Sequence, residues 1–467
     1  MTRLLLPRPG VLALALLLLI PLGAWAQDTR PTPEPEPPPI DAAAIDPVPL
    51  PRPAGESPRV PLEEIQRYVG VYRAVRDAYV DEVSDAELMQ SAIRGLLTDL
   101  DPHSAYLDRE QSQGMEEFSE GVYDGIGVEL VQQPDRSLLV IAPIDDTPAF
   151  RAGIKPGDLI IAIDGEPVVV DSVDEAVTTL RGPPGSEVRL TVLREGVLEP
   201  LELVVVRETI RITSVRHRWL EPGFGYVRIS VFQGDTAREL RQALTALTAG
   251  EGEAALRGLV LDLRSNPGGL LHTAVEAADA FLDAAQLDNP VIVTTKGRLP
   301  FADGEYRAHS GDLSGGVPIV VLVDSGSASA AEVLAGALRD HRRALIMGER
   351  TFGKGSVQTI VPLDNGDSIK LTTARYYTPS GRSIQATGIT PDIAVAERRL
   401  AQRLDRPPSL RERDLPGHLR GEDEHADAGP MPAAVDIQTG DDADPLIAEA
   451  LNVLKGLAVL GHPPPGG

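Results

Sequence analysis

Residues 317–332 read VPIVVLVDSGSASAAE, an apolar run followed by small and polar residues and then by a helical pattern. The run Val317 to Val323 predicts a buried strand, and Glu332 to Leu338 predicts a helix. A strand–turn–helix junction presents hydroxyls at a sheet edge, where free helix N–H groups can stabilise an oxyanion. Ser329 is therefore a candidate nucleophile. The residues Ser329 to Glu332 also match a capping box, in which Ser329 only caps the helix.

The sequence around this junction, from about Thr209 to Val395, alternates apolar strands with helices. That alternation predicts an α/β layer architecture. Besides the junction itself, the predicted elements are Gly258 to Leu263, Leu270 to Leu282, Val291 to Thr295 and Ala344 to Gly348.

A lysine follows these elements in the segment Thr351-Phe352-Gly353-Lys354-Gly355. Residues 348–354 imitate the phosphate-binding pattern G-x4-G-K, but Gly355 stands where Ser or Thr would bind magnesium, and a strand is predicted to follow. We therefore reject nucleotide binding. A lysine buried beside a serine hydroxyl can act as a general base when desolvation lowers its pKa. The alternative is an exposed loop lysine.

The region from about Glu120 to Glu208 contains short strands and tight turns. Thr147 and Pro148 predict the start of a short helix that ends at Gly153. The other predicted features are turns at Pro156-Gly157 and Asp164-Gly165, strands Leu159 to Ile163, Val188 to Leu193 and Leu201 to Val206, and a helix Asp174 to Leu180. Together they predict a compact domain.

Two helical stripes precede that domain, between Leu62 and about Leu100. One comprises Ile65, Val69, Tyr72, Val75 and Tyr79, and the other Leu88, Ile93, Leu96 and Leu97. We expect both stripes to lie in the core. A last helix is predicted from Pro445 to Leu460.

The amino terminus predicts export. Arg3 and Arg8 precede the apolar run Val11 to Ile20, and Ala24-Trp25-Ala26 fits signal cleavage after Ala26. The run is too short for a confident membrane span. An uncleaved segment would leave the protein membrane-associated.

Composition excludes several functions. The formal net charge is −25 and aromatic residues make up 4% of the chain, which argues against binding nucleic acid. The absence of cysteine excludes disulfides, thiolate zinc sites and a cysteine nucleophile. No metal-ligand spacing occurs, and none of the eight histidines sits in a Ser–His–Asp motif. We therefore expect no metal and no cofactor.

Together these residues resemble the carboxyl-terminal processing proteases, which are tail-specific serine proteases with a PDZ domain. The resemblance spans about Leu62 to Val395. Besides Ser327 to Glu332 and Gly348 to Gly355, its markers are Leu100-Asp101-Pro102-His103-Ser104, Gly125-Ile126-Gly127-Val128, Ala152-Gly153-Ile154-Lys155-Pro156-Gly157-Asp158, Leu261-Asp262-Leu263-Arg264-Ser265-Asn266-Pro267-Gly268-Gly269 and Gly388-Ile389-Thr390-Pro391-Asp392.

The resemblance implies roles for individual residues. Ser329 corresponds to the nucleophile, Lys354 to the general base and Gln358 to the residue that orients the lysine. The Ala330 amide corresponds to one oxyanion donor. The other comes from the Pro267-Gly268-Gly269 turn, with Gly268 favoured and Gly269 left open.

The resemblance also implies a PDZ groove, in which a substrate tail adds a strand and loop amides hold its carboxylate. Gly125, Ile126, Gly127 and Val128 correspond to that loop. Arg181 corresponds to a residue that couples the PDZ domain to the protease. A bound tail would either activate the protease or only tether the substrate.

The predicted organisation is a multidomain α/β protein, with a crotonase- or Clp-protease-like catalytic core, an inserted PDZ β-domain and an N-terminal helical region. The predicted segments are 1–26 signal peptide, 27–60 Pro-rich linker, 61–117 helical region, 118–208 PDZ domain, 209–396 serine protease core, 397–443 acidic disordered segment and 444–467 C-terminal helix and tail.

The family resemblance implies that the protein is a periplasmic endopeptidase acting on cell-envelope proteins with apolar C-terminal tails. It further implies a homo-oligomer assembled through the terminal helices, and a helical-repeat adaptor as partner. A non-enzymatic tail-binding scaffold on the same fold is the alternative, which the intact Ser329, Lys354 and Gln358 set opposes.

Overall fold

A computed structural model describes residues 45–47, 60–132, 138–144, 146–168, 179–194, 196–197, 199–250, 255–397, 410–422, 435–437 and 444–461. The predicted signal peptide and most of the predicted helix Asp174 to Leu180 lie outside these residues. Among the described helices, none is long and apolar enough to cross a membrane.

Eight described helices are α1 Leu62–Ala78, α2 Asp85–Thr98, α3 Arg109–Glu120, α4 Pro148–Arg151, α5 Thr236–Thr248, α6 Leu271–Asp279, α7 Ala330–Asp340 and α8 Pro445–Gly461. The strands of the first half are β1 Ile45–Pro47, β2 Ala105–Leu107, β3 Val122–Gly125, β4 Val128–Gln132, β5 Leu138–Pro143, β6 Leu159–Ile163, β7 Glu166–Pro167, β8 Glu187–Leu193, β9 Leu201–Val206 and β10 Glu208–Arg211. Those of the second half are β11 Val215–Glu221, β12 Phe224–Ile229, β13 Gly258–Asp262, β14 Val291–Gly297, β15 Gly304–Arg307, β16 Ile319–Val323, β17 Ala344–Gly348, β18 Ser356–Pro362, β19 Ser368–Tyr377, β20 Ile393–Glu397 and β21 Val435–Ile437.

The layer predicted to carry the catalytic residues is a seven-stranded sheet in the order β11-β12-β13-β16-β17-β20-β21. All its pairs are parallel except β11 with β12. Both faces of its central strands are covered, which is why these strands read as continuous apolar runs. In β16, for example, Val321 joins the core beneath α5, α6 and α7, whereas Val320 packs on the opposite side against α8.

A second, mostly antiparallel sheet supports the loop before β18. Its order is β1-β18-β19-β14-β15, with β2 also paired to β19. Residues 349–355 connect β17 of the first sheet to β18 of the second, so Lys354 lies at the junction of the two sheets.

The predicted compact domain is a separate sheet in the order β4-β5-β6-β8-β9, with β7 paired to β6. It has its own apolar core, which includes Leu138, Ile160 and Leu190. The predicted short helix is confirmed: Thr147 precedes α4, Pro148 is its first residue and Gly153 follows at φ +82°. The predicted hairpin is confirmed as the antiparallel pair β8 and β9.

The predicted last helix packs on the seven-stranded sheet, where Leu454 of α8 is buried. Two sequence predictions are wrong in this structure. The stripe on α1 is not core, because none of its residues is buried; of the stripe on α2, Leu97 is buried but Leu96 is 68% exposed. Residues 410–422 are not disordered, because Glu412 is fully buried there; the rest of 397–443 is described only at 397 and 435–437.

Candidate active site

Ser329 lies between β16 and α7, at the carboxyl end of a central parallel strand. The residue is fully buried, and its Oγ has no hydrogen-bond partner among the described residues. Its backbone has φ +52° and ψ −115°, a conformation that costs a non-glycine residue about 1–3 kcal/mol and is typical of functional sites.

The capping box is only half formed. The Glu332 carboxylate accepts the Ser329 N–H at 2.9 Å, but the Glu332 N–H donates to the Ser329 carbonyl oxygen and not to its hydroxyl. The Ser329 hydroxyl is therefore not used as a helix cap, which removes the structural alternative for this side chain.

The Pro267–Gly269 turn follows the neighbouring strand β13 and lies directly against Ser329. A Cβ added to Gly268 would be 2.8 Å from Ser329 Cβ and 3.0 Å from the Ala330 nitrogen, so only glycine fits there. The Gly268 N–H donates to Asn266 Oδ1 at 2.8 Å. The favoured oxyanion donor is thus already hydrogen-bonded in this conformation.

Glu332 joins Ser329 to the lysine loop. Its Oε2 accepts the backbone N–H groups of Ser329 and Lys354, each at 2.9 Å. Its Oε1 accepts the Gly353 N–H at 2.8 Å and the Thr351 hydroxyl. Ser329 and Lys354, 25 positions apart in the sequence, therefore meet at one carboxylate oxygen.

Burial raises the pKa of Glu332 to about 8, while the four donors around its carboxylate act in the opposite direction. In the sequence, Glu332 is recognisable only as a capping residue, through the S-x-x-E spacing from Ser329. The hydrogen bonds from residues 351–354 to Glu332 depend on the tertiary fold.

Lys354 and Gln358 are both buried, each about 1% exposed. The Gln358 amide donates from Nε2 to Ser356 Oγ and Thr372 Oγ1, both at 3.1 Å. Its Oε1 is buried and has no hydrogen-bond partner among the described residues. The lysine is therefore not the exposed loop residue of the alternative interpretation.

The predicted carboxylate loop lies at the end of the compact domain. Its carbonyl groups are engaged: Ile126 O accepts the Ala149 N–H, and Gly127 O accepts the Ile144 N–H. Gly127 has φ +76°, and an added Cβ would be 2.4 Å from Thr147 Cβ. In the described sheet β4 is the edge strand, so its outer side is open to an added strand.

Comparison with known proteins identifies the family. A carboxy-terminal-processing protease of Bartonella bacilliformis is 41% identical over 394 residues, covering 84% of this chain and 89% of the relative. The chain belongs to the carboxy-terminal-processing proteases. The sequence model of peptidase family S41 matches residues 223–395, a PDZ model matches 139–194, and the model of the activating protease CtpB N-terminal domain matches 51–111.

The chain is also similar to other proteins. The carboxy-terminal processing protease CtpA of Bacillus subtilis is 35% identical, covering 69% of this chain and 67% of its own. A solved photosystem II D1 C-terminal processing protease is 31% identical, covers 72% of this chain and 94% of its own, and superposes with a TM-score of 0.42.

The family assignment confirms the sequence predictions of a serine peptidase and of an α/β core with a PDZ domain. His103, which we had considered only as a family marker, is buried and contacts the Glu412 carboxylate at 2.8 Å. The individual roles of Ser329, Lys354, Gln358 and the oxyanion donors remain predictions.

Proposed function

We propose that this carboxy-terminal-processing protease is an endopeptidase with a Ser329–Lys354 dyad. The observation that carries the proposal is the shared Glu332 oxygen, which holds the backbone nitrogens of both residues within 2.9 Å. Burial of both side chains and a Ser329 hydroxyl that is not used in capping support the proposal that the serine and the lysine act together.

In the proposed reaction, Ser329 Oγ bonds to the scissile carbonyl carbon and its proton passes to neutral Lys354 Nζ. The resulting ammonium then gives the proton to the leaving amine as the C–N bond breaks. A water molecule hydrolyses the acyl-enzyme by the reverse roles. Gln358 Oε1, with no other described partner, is available to accept from the lysine and orient it.

The oxyanion is held by the Ala330 N–H and by one amide of the Pro267–Gly269 turn. Sequence reasoning favoured Gly268. Because the Gly268 N–H donates to Asn266 Oδ1, its use as an oxyanion donor would require that hydrogen bond to be exchanged, and Gly269 stays open as the other candidate.

The substrates we propose are exported cell-envelope proteins with apolar C-terminal tails, cut in the periplasm, with a helical-repeat adaptor as a further partner. The open edge of β4 supports tail capture, because an extended peptide can pair with it while the Gly125–Val128 loop faces its carboxylate. The predicted signal sequence supports the compartment.

This function is tested with one unfolded reporter protein in two forms, one ending in a free apolar tail and one ending in the same tail amidated. We expect faster cleavage of the free tail, because loop amides bind a carboxylate and not a neutral amide. Product masses locate the cut. Equal rates for the two forms would contradict tail recognition.

A titration in the same assay separates activation from tethering. If the bound tail favours an open state, a free apolar peptide should stimulate cleavage of a tailless reporter; a tether predicts only competition. A chain of contacts joins the two domains and could carry such coupling. Arg181 pairs with Glu117 of α3, and the neighbouring Phe118 carbonyl accepts from Gln233 Nε2. Phe232, next to Gln233, donates its backbone N–H to Gly268 O.

Gly127→Trp should remove any stimulation, since its side chain must displace Thr147. Gly157→Trp is the matched control, because Gly157 also has positive φ but has no atom within 4 Å of its added Cβ. Both variants should leave Ser329 reactive towards a small electrophile.

We also propose that the stripe on α1 and α2 is an oligomer contact. Ile65, Tyr79 and Leu96 of the two stripes are between 46% and 68% exposed, and exposed apolar side chains that share a helix face are typical of contact surfaces. Ile65→Asp with Leu96→Asp should lower the particle mass measured by light scattering. Arg67→Asp, on the opposite face of α1, should not. An unchanged mass in the double variant would reject this contact.

A further inference from the structure

We propose that the loop Asp101–Ser104, together with Glu412, forms a clamp that positions the base side of the dyad. The clamp reaches two points that follow the lysine in the chain, Gly355 and Gln358, through two separate chains of buried and part-buried hydrogen bonds. This inference rests on the proposed roles of Lys354 and Gln358, and it assigns positioning roles to residues that contact neither substrate nor Ser329.

The first chain runs from Asp101 to Gln358. Asp101 Oδ1 accepts the backbone N–H groups of His103 and Ser104, both at 2.8 Å, and the Thr372 hydroxyl at 3.1 Å. Thr372 Oγ1 in turn accepts from Gln358 Nε2 at 3.1 Å. Because the carboxylate can only accept, the Thr372 proton points to Asp101 and its lone pairs are left for Gln358.

That polarity fixes which end of the Gln358 amide faces the lysine. The NH2 group is held by Thr372 and Ser356, so the carbonyl oxygen Oε1 is the end that remains for Lys354. A flipped amide would offer donors to an ammonium that needs an acceptor. The function of the first chain is therefore to keep Gln358 in the one orientation that can hold the base.

The second chain runs from His103 to Gly355. His103 Nε2 contacts the Glu412 carboxylate at 2.8 and 2.9 Å, and Gln385 Nε2 donates to Glu412 Oε1 at 2.9 Å. Gln385 Oε1 then accepts the N–H of Gly355 at 2.9 Å. Here too a carboxylate that only accepts orients an amide, whose oxygen binds the residue directly after Lys354.

Close packing holds Gly355 directly against Gln385. A Cβ on Gly355 would lie 2.3 Å from the Gln385 nitrogen, so the two backbones are in direct contact. Glu412 and Gln385 are fully buried, and His103 is 6% exposed. Glu412 also donates its backbone N–H to Phe352 O, on the other side of the lysine loop.

The alternative is that these hydrogen bonds only stabilise the packing of the Asp101–Ser104 loop and of the segment around Glu412 against the core. A structural tie and a clamp differ in what their loss changes. Losing a tie lowers the thermal midpoint without altering the turnover of the folded fraction. Losing the clamp lowers kcat in folded protein and leaves KM nearly unchanged, because substrate binds elsewhere.

The test compares Thr372→Val with Thr373→Val. Both residues are half-buried neighbours on β19, and each loses one hydroxyl at constant shape; Thr373 bonds Thr359 and takes no part in the chain. We expect kcat to fall about 10- to 100-fold in Thr372→Val, as for a misplaced catalytic group, and to stay near wild type in Thr373→Val. Thr372→Ser, which restores the hydroxyl, should recover most of the loss.

A second arm tests the other chain with Glu412→Gln against Glu422→Gln, since Glu422 anchors the same segment through the Tyr377 hydroxyl. A lower kcat only in Glu412→Gln supports the clamp. Wild-type kcat in Thr372→Val, or equal losses in both threonine variants, would overturn it. If Ser329→Ala or Lys354→Ala retains full activity, the dyad itself has failed, which is a different result.

Discussion

Ser329→Ala is expected to abolish peptide-bond cleavage, lowering kcat by about 10^4-fold or more, as loss of the nucleophile does in other serine proteases. The neighbouring Ser327 hydroxyl is not expected to replace it, because Ser327 Oγ donates to Leu263 O at 2.8 Å. The variant should fold normally, since the hydroxyl has no described hydrogen bond to lose.

The measurement is cleavage of an unfolded reporter, together with labelling by a serine-directed electrophile. Ser325→Ala is the matched control, because it removes a partly exposed hydroxyl from the same turn. We expect the control to cleave and to be labelled at wild-type rates. A cleaving or labelled Ser329→Ala protein would show that another residue is the nucleophile.

Lys354→Met is expected to lower kcat by about 10^2- to 10^4-fold, the usual contribution of a general base. Methionine keeps an unbranched apolar stem in a site that is 1% exposed, so the variant should remain folded. Its thermal midpoint, measured beside kcat, checks that the loss is chemical.

Lys354→Arg distinguishes two possible roles of residue 354, proton acceptor and positive charge. Arginine keeps the charge but cannot be deprotonated in proteins. We therefore expect Lys354→Arg to be as inactive as Lys354→Met. Substantial activity in the arginine variant would mean that residue 354 acts by electrostatics, and the proposed proton transfer would have to be abandoned.

The strands and helices of the catalytic layer could be predicted because local patterns determine them. Val317 to Val323 is apolar throughout, as expected of a strand buried on both faces, and β16 is such a strand. The turns at Gly157 and Gly165 could be predicted for a similar reason, since both glycines have positive φ. Ser329 and Lys354 could each be recognised as candidates from local sequence, but only the family resemblance paired them as a dyad.

Contacts between distant segments could not be predicted in the same way. The Glu332 carboxylate binds residues 351–354, which no helical spacing relates to it. An amphipathic stripe such as that of α1 predicts that some surface will cover it, without saying which. The polar composition near Glu412 suggested disorder, yet the buried Glu412 carboxylate, bound by His103 and Gln385, fixes that segment.

The position of α8 has a consequence for when the central sheet is completed during folding. This last helix covers one face of β12, β13 and β16, with Leu454 against Gly258 and Phe224. Contacts so far apart in sequence form late in folding. Because the ribosome makes the amino end first, this face of the central sheet stays uncovered until residues 445–461 have been synthesised. Loss or unfolding of α8 would expose the same apolar face to solvent.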